Sequence, residues 1–203
     1  MVRRSKEEAE KTRALILDTA ENIFLQKGVA DTSLADIAKA AGVTRGAIYW
    51  HFKNKMDLFD AMHQRVSFPL DKLFDEMVSN HHSPMLALKE ICTYCLQSLA
   101  EDEHMRRVYT ILLFKCEQFA HDSKFKRHEQ MRQEALSKME KIFMLAQEKR
   151  ECNLSFTPQG AALALYSFMQ GIFYDYLFNP KRYSITSVSI ELIDIFFKSF
   201  VAR

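Results

Sequence analysis

Apolar positions recur at helical spacing along nearly the whole chain. Ile16, Ala20, Ile23 and Phe24 fall at i, i+4, i+7 and i+8, which is one face of a helix, and Gly28 stops it. Ser33-Leu34-Ala35-Asp36 is a capping-box pattern. It predicts a second helix that turns Ile37, Ala38 and Ala41 inward and ends at Gly42. Thr44 caps a short third helix that reaches about Phe52. Asn54, with Asp57 three residues on, caps a fourth that runs toward Ser79 and kinks near Pro69. Ser83-Pro84 and Thr157-Pro158 each set a cap before proline at a first helical position, and Asn179-Pro180 closes a helix. Phe125, His128, Arg132, Ala135, Met139, Ile142, Phe143 and Ala146 mark one long amphipathic helix. No alternating run is long enough to predict a strand. The expectation is an all-α fold of nine helices.

The last two helices are apolar on more than one face. In residues 158–178 one stripe is Ala162, Tyr166, Met169, Phe173, Tyr176 and Leu177, and another is Ala161, Ala164, Phe168, Gly171 and Ile172. Residues 185–201 leave only a narrow polar strip between Ile185, Val188, Leu192, Ile193, Ile195, Phe196, Phe197 and Phe200. A surface helix needs one apolar stripe, so two predict a second burying partner. A homodimer through these two helices satisfies that need; the alternative is a buried intrachain hairpin.

Composition divides the chain near residue 55. Residues 1–55 hold ten Lys/Arg and seven Asp/Glu, with two phenylalanines and the first methionine. The remaining 148 residues are net acidic by one charge and hold fourteen Phe and nine Met. The expectation is a DNA-binding domain over 1–55 and a ligand-binding and dimerisation domain over 56–203. Soft, adaptable Met and Phe surface suits a hydrophobic small-molecule ligand. Five glycines and four prolines in 203 residues are too few for a turn-rich all-β protein. No apolar run approaches a membrane span, and the charged N-terminus predicts no secretory signal, so the expected location is cytoplasmic, with no membrane partner.

Catalytic signatures are absent: no nucleophile elbow, no paired carboxylates, no glycine-rich phosphate loop. The expectation is a protein that is not an enzyme and needs no cofactor. Cys92-Thr93-Tyr94-Cys95 is a C-x-x-C motif. It lacks the preceding strand of a thioredoxin-like site and the further ligands of a zinc site. Reduced, buried, apolar cysteines are the preferred reading and no metal is expected, with a thiol-based redox protein using Cys92 and Cys95 as the alternative.

The second and third predicted helices, joined by Ala41-Gly42-Val43, form a helix-turn-helix over about 33–52. In such a unit the second helix presents its first residues to base edges and phosphates. Here they are Thr44, Arg45, Gly46 and Ala47, followed by Tyr49, Trp50 and His51. Arg45 suits bidentate pairing with guanine, and Tyr49, His51 and Lys55 suit phosphates. The shape alone also occurs in folds that never touch DNA, and Tyr49, Trp50 and Phe52 have the composition of core aromatics.

The run from Leu34 to Lys55, LADIAKAAGVTRGAIYWHFKNK, resembles the TetR family of bacterial transcriptional regulators, and within it the multidrug-efflux repressors of the AcrR and TtgR kind. Lys6-Glu7-Glu8-Ala9, Thr12-Arg13 and Gly28-Val29 share that resemblance, and Leu112 to Glu117 share it more loosely. It implies a nine-helix TetR-like homodimer that reads a palindromic operator with its first three helices and holds a ligand in the remainder. Position by position, it implies phosphate contacts at Thr32, Ser33, Thr44 and Tyr49. Arg45, Gly46 and Ala47 become base-facing positions, and His51 and Lys55 further backbone clamps. Trp50 is expected to pack inside the unit. Tyr109, Phe114, Phe168, Met169 and Gln170 are the expected ligand contacts. Leu112, Leu113 and Phe114 stand where efflux repressors often carry polar groups, which implies a more apolar pocket. The functional expectation is a ligand-responsive repressor of a multidrug-efflux operon that leaves its operator when a hydrophobic compound binds. The alternative inside the family is a regulator of another pathway.

Overall fold

The structure is a computed structural model that describes residues 6–66, 83–116, 125–152 and 155–200. Among them are nine helices and no strand: α1 (Lys6–Lys27), α2 (Leu34–Ala40), α3 (Arg45–His51), α4 (55–66), α5 (Pro84–Glu101), α6 (Glu103–Phe114), α7 (Phe125–Glu148), α8 (Pro158–Phe178) and α9 (Ile185–Lys198). The all-α expectation holds. The end of the fourth helix and the kink at Pro69 lie outside the described residues.

Local chemistry sets the boundaries. Gly28 adopts φ +83°, a left-handed conformation that ends α1 at little steric cost. Ser83 and Thr157 accept from the N–H groups of Leu86 and Gly160 at 3.2 and 3.1 Å, each with proline next in line. Asp102 separates α5 from α6 and accepts from His104 N–H at 2.8 Å. At α4, Asn54 Oδ1 accepts from Asp57 N–H at 2.9 Å while Asp57 Oδ2 accepts from Lys53 N–H at 2.8 Å, a reciprocal cap.

The described residues form two compact units, 6–66 with 107–116, and 83–106 with 125–152 and 155–200. In the first, Ile16, Leu17, Ala20 and Phe24 of α1 meet Ile37 of α2, Ile48 of α3, Phe52 and the α4 residues Leu58 and Met62, all at most 2% exposed. Arg13 lies over the Phe52 ring, 5.4 Å from its centroid. A charged group also enters this core. Glu21 is fully buried, and Arg65 Nη1 and Arg107 Nε reach its carboxylate at 3.2 and 3.3 Å.

In the second unit α7 packs on α8, and α5 packs on α9 and α7. Leu88, Cys92, Leu96 and Leu99 of α5, Phe143 and Ala146 of α7, Leu165 of α8 and Ile193 of α9 form its interior. Phe143, Phe156 and Phe200 add a cluster of edge-on and tilted rings, with centroids 5.0 to 6.3 Å apart. Lys89 and Asp194 pair at 2.6 Å between α5 and α9.

The cysteines are free thiols. Burial pushes Cys92 well up, and pushes Cys95 and Cys116 to about 12. Reactive cysteines need the opposite shift, toward thiolate. The thiol-redox alternative is not supported.

Candidate nucleic-acid interface

The helix-turn-helix is built by three short-range devices. Ser33 caps α2: its hydroxyl accepts from Asp36 N–H at 3.1 Å, and Asp36 Oδ2 accepts from Ser33 N–H at 2.9 Å and Ser33 O–H at 2.5 Å. These bonds hold the Asp36 carboxyl below the usual carboxylate range. Gly42, at φ +66°, then reverses the chain. Val43 N–H donates to Ala38 O at 3.0 Å and Gly42 N–H to Lys39 O at 3.2 Å, which satisfies carbonyls left open at the end of α2. Thr44 starts α3 by accepting from Ala47 N–H at 3.1 Å.

α3 has one inward anchor, Ile48, which is fully buried. Arg45, Gly46, Tyr49 and Trp50 are exposed and share the opposite face at i, i+1, i+4 and i+5, while Ala47 and His51 are half-buried at its margin. Gly46 occupies ordinary helical space: an added Cβ meets nothing nearer than Thr44 Oγ1 at 3.9 Å. The fold does not require glycine there. Beside this face lies a cleft of about 530 Å³ lined by Ala30 to Leu34, Asp36, Tyr49, Lys53, Asn54 and Lys55.

Three expectations need correction. Trp50 was expected inside the unit; it is 72% exposed and meets the His51 ring edge-on at 4.6 Å. The reason is periodicity, because Ile48 and Phe52 already take the inward positions of this short helix. Thr32 was expected on a phosphate; it is buried, and its hydroxyl donates to Gly28 O at 2.7 Å. Lys55 was also expected on a phosphate. Its ammonium is half-buried and donates to Val29 O, Ala30 O and Thr32 O at 2.5, 3.0 and 2.7 Å. Ser33, Thr44, Arg45, Gly46, Ala47, Tyr49 and His51 remain together at the cleft or on the outer face of α3.

Residues 16–62 match the family described as bacterial regulatory proteins of the tetR family. Residues 83–202 match the C-terminal region of the MAATS-type transcriptional repressors. The chain belongs to the TetR family. It is a DNA-binding transcriptional repressor of the helix-turn-helix type. Among its relatives, the regulator TtgR of Pseudomonas putida is 38% identical over 185 residues, covering 89% of this chain and 87% of TtgR. The fold superposes on NalD, the secondary repressor of the MexAB-OprM multidrug efflux pump in Pseudomonas aeruginosa. The TM-score is 0.84 at 36% identity, over 97% of this chain and 98% of NalD. It also superposes on SmeT in complex with triclosan, with a TM-score of 0.85 at 28% identity, over 95% of this chain and 92% of SmeT.

The expected ligand contacts of this TetR-family chain fall in both units. Tyr109 and Phe114 belong to the first, where the Tyr109 ring stands edge-on to His63 with centroids 6.5 Å apart. Phe168, Met169 and Gln170 belong to the second. Phe168 stacks on Phe196 at 4.6 Å, Met169 is buried, and Gln170 Nε2 donates to Tyr166 Oη at 3.0 Å. Burial raises the Tyr166 phenol, with the Gln170 hydrogen bond opposing part of that rise.

Proposed function

We propose that this protein represses a multidrug-efflux operon and leaves its operator when a hydrophobic compound binds. The observation that carries the DNA-facing half of this reading is Gly46. A glycine inside an exposed helix is about 1 kcal/mol less favourable than alanine, and nothing within the unit fills the space of a side chain there. Close approach of a DNA backbone or base edge accounts for the glycine. Arg45 then faces base edges with Gly46 and Ala47. Ser33, Thr44, Tyr49 and His51 face the strands on either side, and exposed Trp50 joins them.

The regulated operon follows from the relatives. NalD represses an efflux pump, and the "Probable acrEF/envCD operon repressor" of Escherichia coli is 41% identical over 118 residues, 58% of this chain. The SmeT complex with triclosan, an apolar aromatic compound, supports a hydrophobic molecule as the inducer class. Phe168, Met169 and Gln170 in the second unit, and Tyr109 and Phe114 in the first, are the candidate ligand contacts. By role, residues 1–55 bind DNA and residues 56–203 serve ligand and dimer, in the cytoplasm where the chromosome lies.

A homodimer through α8 and α9 has support of the same kind as Gly46. Leu163, Ser167, Gly171, Tyr174 and Phe178 form an exposed stripe on α8, and Ile195 is 60% exposed on α9. An added Cβ at Gly171 meets nothing within 4 Å, so a small residue there favours close approach by a second helix.

A ligand lowers DNA affinity only by preferring a conformation whose recognition helices are misplaced, and the coupling is reciprocal. The test is a triclosan titration with and without a duplex that the protein selects from a random pool. Triclosan is expected to release the duplex, and the duplex to weaken triclosan binding by the same factor. Equal triclosan affinity in both titrations refutes the induction reading.

A further inference from the structure

The two ends of α3 are held differently. Thr44 caps its start, and α3 packs on α2. Its seven residues bury one side chain, Ile48. The other end rests on Phe52. That residue leaves the helix in an extended conformation, φ −138° and ψ 122°, while its N–H still donates to Ile48 O at 2.9 Å. Its ring is turned inward and is buried. From α1, Arg13 covers this ring, with its guanidinium carbon 5.4 Å from the ring centroid. The Arg13 side chain keeps 35% of its surface, and Glu10 Oε1 lies 4.0 Å from its Nη1. A guanidinium over an aromatic ring gains both from the negative face of the ring and from stacking, which a carboxylate at the limit of ion-pair distance does not replace. The rings continue outward from Phe52. The His51 ring follows at 6.2 Å, and Trp50 meets His51 edge-on at 4.6 Å on the exposed side of α3.

We propose that Arg13 is a positioning residue for α3, a reading that rests on α3 facing DNA. By holding the Phe52 ring against α1 it fixes the C-terminal end of α3, and with it the direction in which His51 and Trp50 are presented. Without this contact α3 is fixed at its start and samples orientations in which its outer face does not fit a groove. Affinity then falls with the fraction of molecules that stay competent. The effect needs no contact between Arg13 and DNA.

Trp50 is the chain's one tryptophan, so the fluorescence of the full-length protein reports the end of α3 directly. Arg13→Met keeps a long apolar side chain over the ring but removes the charge. In this variant, free of DNA and fully folded, the fast local component of the Trp50 anisotropy decay should grow. A role in global stability alone leaves the anisotropy of the folded molecules as it is. Affinity for a labelled duplex that the wild type selects from a random pool should fall by up to about fivefold per subunit, the size of a partly exposed cation–π contact, with the wild-type dependence on salt. A phosphate-binding Arg13 would instead make the slope of log affinity against log salt shallower by about 0.9 per subunit. Phe52→Leu should show the same changes as Arg13→Met, and combining the two should change neither readout further. Should Phe52→Leu fail to fold by circular dichroism, Arg13→Met decides alone. An unaltered Trp50 anisotropy or an undiminished duplex affinity in Arg13→Met overturns the proposal, as do a shallower salt slope and additive losses in the double variant. A pool from which the wild type enriches no sequence refutes instead the reading of α3 as a DNA face, and the anisotropy still decides whether Arg13 holds the helix end.

Discussion

Changing Glu21 to glutamine tests whether the charge buried in the first unit holds that unit together. Glu21 has no exposed surface, and its carboxylate faces Arg65 of α4 and Arg107 of α6. The amide keeps the volume and one acceptor but removes the charge. Breaking a fully buried pair from one side costs about 3–5 kcal/mol. Here the arginine side chains keep 29% and 22% of their surface, so they recover some hydration. That reduces the expected loss to about 2–3 kcal/mol. In a chain of this length the melting temperature should fall by about 4–12 °C. Asp18 supplies the internal control. Its bond to Arg65 is shorter, 2.6 Å against 3.2 Å, but its side chain is 44% exposed. Water replaces an exposed partner, so Asp18→Asn should cost under about 1 kcal/mol. Thermal melts followed by circular dichroism at 222 nm compare the two. If Asp18→Asn destabilises as much as Glu21→Gln, burial is not what gives the Glu21 network its strength.

Gly46→Ala should stabilise the fold by about 0.5–1 kcal/mol, read from urea denaturation, while weakening DNA binding; tighter DNA binding by this variant contradicts the close approach. Ser33→Ala removes both halves of the capping box and should cost about 0.5–2 kcal/mol in the same assay, with no loss if the cap is dispensable. Gly171→Leu should yield monomers in sedimentation if α8 is a dimer seam, and an unchanged dimer places the seam elsewhere. Folding holds the Cys95 thiol at about 12, above its unfolded value near 8.5, so its contribution to stability is complete below about pH 8.5 and declines as pH rises toward 12. Urea midpoints from pH 8 to 10 should therefore fall more steeply in the wild type than in Cys95→Ala, and parallel slopes would count against that burial.

What was legible in the sequence was local. The capping residues Ser33, Thr44, Asn54, Ser83 and Thr157 act within four residues of themselves, as does Gly42, so their spacing fixes the helix-turn-helix and most helix boundaries. What was not legible involves partners far along the chain. The partners of Lys55 stand 23 to 26 residues earlier, and nothing in KNK distinguishes an ammonium facing carbonyls from one facing phosphate. Lys115, just past the end of α6 and more than eighty residues on, meets Val29, and residues 107–116 join the first unit despite following a composition boundary at 55. The resemblance implied an inward Trp50; counting inward positions from Ile48 places it outside, as observed. The Phe and Met stripes of α8 remain ambiguous for a physical reason. Apolar side chains at helical spacing serve core, dimer seam and ligand site equally well.

Hydroxyl-radical footprinting of the selected duplex by wild-type protein and Arg45→Ala shows whether the exposed face of α3 reads DNA. Two protected segments are expected on one face of the duplex, about 34–36 Å apart or a whole-turn multiple of that. Arg45→Ala should lose about 1–3 kcal/mol of binding, with relaxed preference at one base position. A footprint and affinity unchanged by Arg45→Ala would contradict a DNA-reading α3.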